Sequence, residues 1–121
     1  MGDMNYRMNT TFAEFNNSNV STDAVGMIPT HDQLVISMLE GNYAGYQEPK
    51  IEHLPSYKMD KKKDIYIDKK DQAPSYCDRI IYRNNSELKI EEELYDCMHS
   101  VKGSDHRPVV LGLKIRSFDQ P

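Results

Sequence analysis

Gly103-Ser104-Asp105-His106-Arg107-Pro108-Val109-Val110-Leu111-Gly112-Leu113-Lys114-Ile115-Arg116 joins a polar turn rich in reactive side chains to a run that reads as a strand. Pro108 ends any helix before it. Beyond it Val109, Leu111, Leu113 and Ile115 alternate with Val110, Gly112, Lys114 and Arg116, the two-residue period of a strand with one buried face. Asp105 and His106 therefore stand at the mouth of a sheet element. On extended backbone adjacent side chains point apart, so the two have separate partners.

Working outward, the most secure helix follows Asp32, which caps it. Leu34, Val35, Met38 and Leu39 share its apolar face and Gly41 ends it. That stripe reads as core packing. Asn9 to Asp23 is polar without a clean period and reads as loop with a short helical turn at most. Residues 51 to 59 read as a strand leading into a loop at Pro55, Ile65 to Ile67 as a short returning strand, and Arg79 to Arg83 as another. Mixed strands with at least one helix and no internal repeat indicate an α/β layered arrangement.

With 121 residues, 38% apolar residues, 11 Phe plus Tyr and no Trp, the chain makes one modest domain or part of one, with little surplus apolar surface to stabilise it alone. The net charge of -4 hides a division: Lys58, Lys61, Lys62, Lys63, Lys69 and Lys70 lie in one stretch, Glu87, Glu91, Glu92, Glu93 and Asp96 in another. Because Asp60, Asp64 and Asp68 are interspersed, the lysine stretch is either a solvated loop or an anion-binding edge. Cys77 and Cys97 have neither metal-ligand spacing nor the density of a disulfide framework, and no apolar run reaches the length of a membrane span. These features fit a cytoplasmic chain with reduced thiols that meets lipid, if at all, peripherally at the cytosolic face. Asn9, Asn16, Asn19 and Asn84 are accordingly read as incidental sequons.

Three segments carry chemistry. In Gly2-Asp3-Met4-Asn5-Tyr6-Arg7, Asp3 and Asn5 are two apart and project from one face of an extended segment, where a carboxylate can orient water and an amide can donate to a phosphoryl oxygen. Taken alone, Gly-Asp-x-Asn is a common turn sequence. His106 can donate to a scissile group, given a carboxylate that fixes its tautomer. Asp78, in Pro74-Ser75-Tyr76-Cys77-Asp78-Arg79, is the candidate. His31, His53 and His99 show no partner pattern and read as surface residues.

In this order the three segments resemble the inositol polyphosphate 5-phosphatases, of a metal-dependent endonuclease/exonuclease/phosphatase superfamily shared with type I deoxyribonucleases and apurinic endonucleases. Asp32-Gln33-Leu34, Gly45-Tyr46-Gln47-Glu48 and Leu54-Pro55-Ser56-Tyr57-Lys58-Met59-Asp60 extend the resemblance through nearly the whole chain. The resemblance implies a layered α/β sandwich like that of type I deoxyribonuclease, and Mg²⁺-dependent hydrolysis of the 5-phosphate monoester of phosphoinositides or soluble inositol polyphosphates. It also implies roles: Asp3 positions the attacking water, Asn5 holds the transferring phosphoryl group, Asp105 supports the metal, His106 contacts the scissile phosphate and Asp78 orients His106. Tyr57, Lys58 and Lys70 match positions that recognise the neighbouring phosphate. Arg79 and Arg107 either neutralise anions or form internal salt bridges.

The sequence departs from the family pattern at Gln72, where many members have arginine, and at Ser75-Tyr76, where Ala-Trp is usual. Met8 to His31 lacks the apolar periodicity of the family helix there. By the resemblance, residues 1–121 are the C-terminal segment of the catalytic domain. The N-terminal half, with the glutamate that chiefly holds Mg²⁺, is absent, so an incomplete sandwich that is inactive alone is expected. The alternatives are a nuclease of the same superfamily, with nucleic acid as substrate, and a non-catalytic fragment or decayed gene product.

Overall fold

The computed structural model describes residues 1–16 and 20–117. Seven elements follow one another: β1 (Gly2–Asp3), α1 (Phe12–Asn16), α2 (Val20–His31), α3 (Gln33–Leu39), β2 (Asp78–Arg79), β3 (Leu88–Cys97) and β4 (Val109–Ser117). The fold is α/β. β1 pairs antiparallel with β2, and β3 with β4.

α3 forms where its sequence predicts. Asp32 accepts a hydrogen bond from the Val35 N–H at 3.0 Å, and Gly41 leaves the helix with φ of 96°. Its apolar stripe is only partly covered, since Leu34 is fully buried while Leu39 is 79% exposed. Within the loop expected over Asn9 to Asp23, Phe12–Asn16 form α1 and α2 begins at Val20; residues 17–19, with the sequon at Asn19, lie outside the described residues. α2 escapes a periodicity search because Gly26 and Pro29 interrupt its apolar positions. Ala24 and Ile28, four residues apart, still share one helical face and join Met8, Phe15, Ile51, Ala73 and Tyr76 in the core.

Residues 51–59 are extended chain rather than a strand. Single antiparallel bridges, Tyr57 with Ser75 and Met59 with Tyr66, hold this segment, and Gln47 with Tyr82 replaces the strand expected beyond Arg79. Pro49, Pro55 and Pro74 interrupt any longer ladder. β4 is a strand as its alternation predicts, but its intended inner face is only half covered, with Ile115 57% exposed. Its partner β3 contains the glutamate run. An irregularity between Glu92 and Leu94 resets the alternation, so Ile90, Tyr95 and Cys97 stand opposite Ile115, Leu111 and Val109.

His53 is buried, not a surface residue. Its ring lies between those of Tyr76 and Tyr95, with centroids 5.6 and 5.4 Å away. Burial pushes its pKa down, opposed by the hydrogen bond between Nδ1 and the Leu54 carbonyl.

Candidate active site

The register of β1 and β2 sets Asp3 directly opposite Asp78, and the Met4 N–H continues the ladder to the Cys77 carbonyl at 2.8 Å. Two carboxylates on neighbouring strands repel unless cations or donors compensate. Asp78 has two partners: the Ser56 hydroxyl donates to its Oδ2 at 2.6 Å, and His106 Nδ1 lies 2.8 Å from the same oxygen. His106 Nε2 is thereby aimed towards Asp3, whose Oδ2 is 3.8 Å away. That gap is too long for a direct hydrogen bond. Among the described residues, Asp3, Asp78 and His106 form the one group of potential metal ligands whose donor atoms all lie within 4.8 Å of one another.

Asn5 takes a left-handed conformation, φ 57°, stabilised by its N–H donating to Asp3 Oδ1 at 3.0 Å. Asn tolerates this backbone through such local bonds. Arg7 Nε and Nη2 donate to Asn5 Oδ1 at 3.0 and 2.6 Å. The amide oxygen is occupied, so the amide NH₂ remains the group that can address a ligand. The Arg7 guanidinium stacks over the Tyr57 ring at 4.7 Å, and that ring packs against His106 with centroids 4.4 Å apart. Arg7 and Ser56 are thus site residues to which no role was assigned from sequence, although both lie inside the motifs quoted there.

Three predicted residues fall elsewhere. Arg79 is 1% exposed and cannot meet a substrate anion. Its guanidinium bonds both oxygens of Asp32 at 2.7 and 2.9 Å and both of Glu48 at 2.7 and 2.6 Å. Burial opposes its charge, but the bonds from Glu48 and Asp32 outweigh it and raise the pKa. Asp105, in the bend over residues 103–106, is outside the Asp3–Asp78–His106 group and borders a hollow with Lys58, Lys61 and Lys62. Lys70 sits exposed in a left-handed turn, φ 57°, while Lys69 lines the hollow beside Arg7, Tyr57, Lys58 and Gln72.

Arg107 is also internal. It is 1% exposed and donates to the carbonyls of Ser104, Asp60 and Lys63 at 2.7, 2.6 and 3.1 Å. Cys77, next to Asp78, is not a nucleophile. Burial pushes its thiol up to about 12, against the pull of Arg7, and burial does the same to Cys97.

Residues 1–112 match the family model "Endonuclease/Exonuclease/phosphatase family 2". The chain belongs to this family. It is 43% identical over 90 residues to the phosphatidylinositol polyphosphate 5-phosphatase type IV of Homo sapiens, covering 71% of this chain and 14% of that protein. The Rattus norvegicus enzyme of the same name is 35% identical over 122 residues, covering 95% of this chain and 19% of the relative. Among solved structures, the inositol polyphosphate 5-phosphatase domain of a synaptojanin, in complex with inositol (1,4)-bisphosphate and calcium ion, superposes with a TM-score of 0.78. It is 28% identical, over 95% of this chain and 34% of that one. Cimex nitrophorin, as a ferrous NO complex, superposes at 0.83 with 25% identity, over 95% of this chain and 40% of that one. The fold is therefore that of the inositol 5-phosphatase domain, of which this chain spans about a third. Because two such differently named proteins share it, the fold does not decide the activity.

Proposed function

We propose that this chain supplies the His106-bearing part of an inositol polyphosphate 5-phosphatase, a phosphoric monoester hydrolase acting on phosphoinositides or soluble inositol polyphosphates. The observation that carries the reading is the alignment of Asp78, His106 and Asp3, with His106 Nδ1 2.8 Å from Asp78 and Nε2 directed towards Asp3. The names of the relatives favour phosphatase over nuclease.

In this reading Asp78 accepts from Nδ1–H of the imidazole and fixes the ring, leaving Nε2 to face the scissile phosphoryl group. Ser56 holds Asp78 in place. Asp3 orients the attacking water, and the Asn5 amide, its oxygen tied to Arg7, donates to a phosphoryl oxygen. The water oxygen bonds to phosphorus as the bond to the inositol oxygen breaks, and that oxygen takes up a proton. Tyr57 and Lys58 border the place where an adjacent phosphate would lie, with Lys69 in the position expected of Lys70.

Mg²⁺ takes one or two carboxylates and otherwise keeps waters or substrate oxygens. The site fits that demand: Asp3 Oδ2 is open, and Asp78, whose Oδ2 is engaged by Ser56 and His106, keeps Oδ1 open. Asp3 and Asp78 would hold the ion, which when bound neutralises phosphoryl charge. With one open oxygen on each of Asp3 and Asp78 to hold the ion, the chain alone is expected to bind an inositol phosphate and release no phosphate above background.

The test is titration of the purified chain with inositol 1,4,5-trisphosphate and Mg²⁺, following side-chain NMR signals and phosphate release. Shifts at His106, Tyr57 and Asn5 support the site. Binding unaffected by Asn5→Ala and His106→Ala overturns it. Turnover abolished by His106→Ala would retain the phosphatase reading and overturn the inactivity of the chain alone.

A further inference from the structure

We propose that the lysine-tipped hairpin over residues 58–67 is a docking surface for an anionic lipid bilayer, held in fixed relation to His106. The inference rests on the reading of the site as one for phosphoinositides and names the surface that would bring such a site to its lipid.

The hairpin is closed by backbone bonds. The Ile67 N–H donates to the Lys58 carbonyl at 2.8 Å and the Asp60 N–H to the Ile65 carbonyl at 2.9 Å, around the bridge between Met59 and Tyr66. Lys61, Lys62, Lys63 and Asp64 form its exposed tip. In sequence the aspartates balance the lysines, but in space their carboxylates are held by partners other than the tip ammonium groups. Asp60 Oδ1 accepts from the N–H groups of Lys62 and Lys63 at 2.8 and 2.9 Å. Asp64 pairs with Lys102 at 3.2 Å, and Asp68 accepts from the Asp71 N–H at 3.0 Å.

Among the described residues, no carboxylate lies within ion-pairing distance of the Lys61, Lys62 or Lys63 ammonium groups. The counter-charges beside them are Asp60 and Asp105, which share a hollow with Lys61 and Lys62. Ile65, 53% exposed beside the tip, adds an apolar side chain that can enter the headgroup region.

A solvated loop needs no rigid support, yet this one has it. Buried Arg107 directs two of its hydrogen bonds to the Asp60 and Lys63 carbonyls, and the Gly103 N–H donates to the Lys61 carbonyl at 2.9 Å. Arg107 and Gly103 flank His106 in sequence, and the Met59 N–H adds a bond to the Asp105 carbonyl at 2.8 Å. The three ammonium groups are therefore presented from a frame shared with the imidazole. A bilayer, rather than a flexible polyanion, suits a fixed cluster of charge with an exposed apolar side chain at its margin.

Each lysine close to an anionic leaflet multiplies partitioning by about fivefold, so three give about a hundredfold. The experiment is co-sedimentation of the full chain with phosphatidylcholine vesicles, with and without phosphatidylserine as the minor lipid. Selective pelleting with phosphatidylserine, weakening as salt rises, is expected. The combined Lys61→Gln, Lys62→Gln and Lys63→Gln variant should lose about a hundredfold in partitioning with an unchanged circular dichroism spectrum, and Ile65→Ser should lose less, without altering the salt dependence.

Equal pelleting on phosphatidylcholine alone, a triple variant that partitions like the parent, or binding to an RNA homopolymer or to inositol hexakisphosphate without vesicle binding overturns the proposal. His106→Ala should leave vesicle binding intact while removing the inositol phosphate response, so failure here and failure of the phosphatase reading give different results.

Discussion

The site and the β3–β4 hairpin are built by opposite means. Around Asp78 the backbone supplies only two-residue strands and single bridges, and order comes from side chains: Ser56 and His106 on Asp78, Arg7 on Asn5, and Arg79 between Asp32 and Glu48. In β3–β4 a long ladder, broken once between Glu92 and Leu94, runs from Leu88 opposite Ser117 to Cys97 opposite Val109, while Leu94 and Ile115 are half or more exposed. One region is specified by a few costly buried contacts, the other by many backbone bonds with little packing. Sensitivity to single substitutions should divide in the same way.

The largest effect is expected at Arg79. Arg79→Met leaves Asp32 and Glu48 buried without their cation and should destabilise the chain by about 3–5 kcal/mol in urea unfolding. A loss below about 1 kcal/mol would break the comparison, because the charge network would then be dispensable. Next, Ser56→Ala removes a buried donor to a carboxylate and should cost about 1.5–3 kcal/mol by the same measurement, even though it changes only one oxygen.

A smaller effect comes from His53. Its folded pKa is depressed by burial, so below about pH 6.5 the unfolded chain takes up a proton that the folded chain does not. Its contribution is complete above the unfolded pKa and is lost as the pH falls towards the folded one. His53→Phe should flatten the acid limb of stability against pH, and an unchanged limb would show that other groups set it. Least of all, Ile115→Thr on the open face of β4 should move stability by no more than about 0.5 kcal/mol. A larger loss would mean that the ladder depends on packing after all.

The same division explains what could be read in advance. α3 and β4 were legible because capping by Asp32 and strict alternation from Val109 are local signals. The pairing of Asp78 with His106 was legible through motif resemblance, although the residues are 28 apart in sequence. β3 was missed because its charged run hides a shifted alternation, and α2 because Gly26 falls between Ala24 and Ile28 and Pro29 follows them. Arg79 was misplaced for a deeper reason. An arginine beside a reactive aspartate suggests anion binding, and only the three-dimensional convergence of Asp32 and Glu48, 47 and 31 residues away, shows its charge to be spent internally. Asp105 and Lys70 lie outside the Asp3–Asp78–His106 group, Asp105 in the bend before Arg107 and Lys70 in a left-handed turn, and such turns are local geometry that the motif does not announce.

Cys77 lies one residue from Asp78, where a phosphatase of another kind would keep a thiolate. With its thiol pushed up to about 12, only about one molecule in 100,000 would carry that thiolate at neutral pH, and Cys97 is no more reactive. Thiol-directed reagents would therefore find little to react with at these two cysteines, and peroxide would fall first on exposed Met1 and Met98.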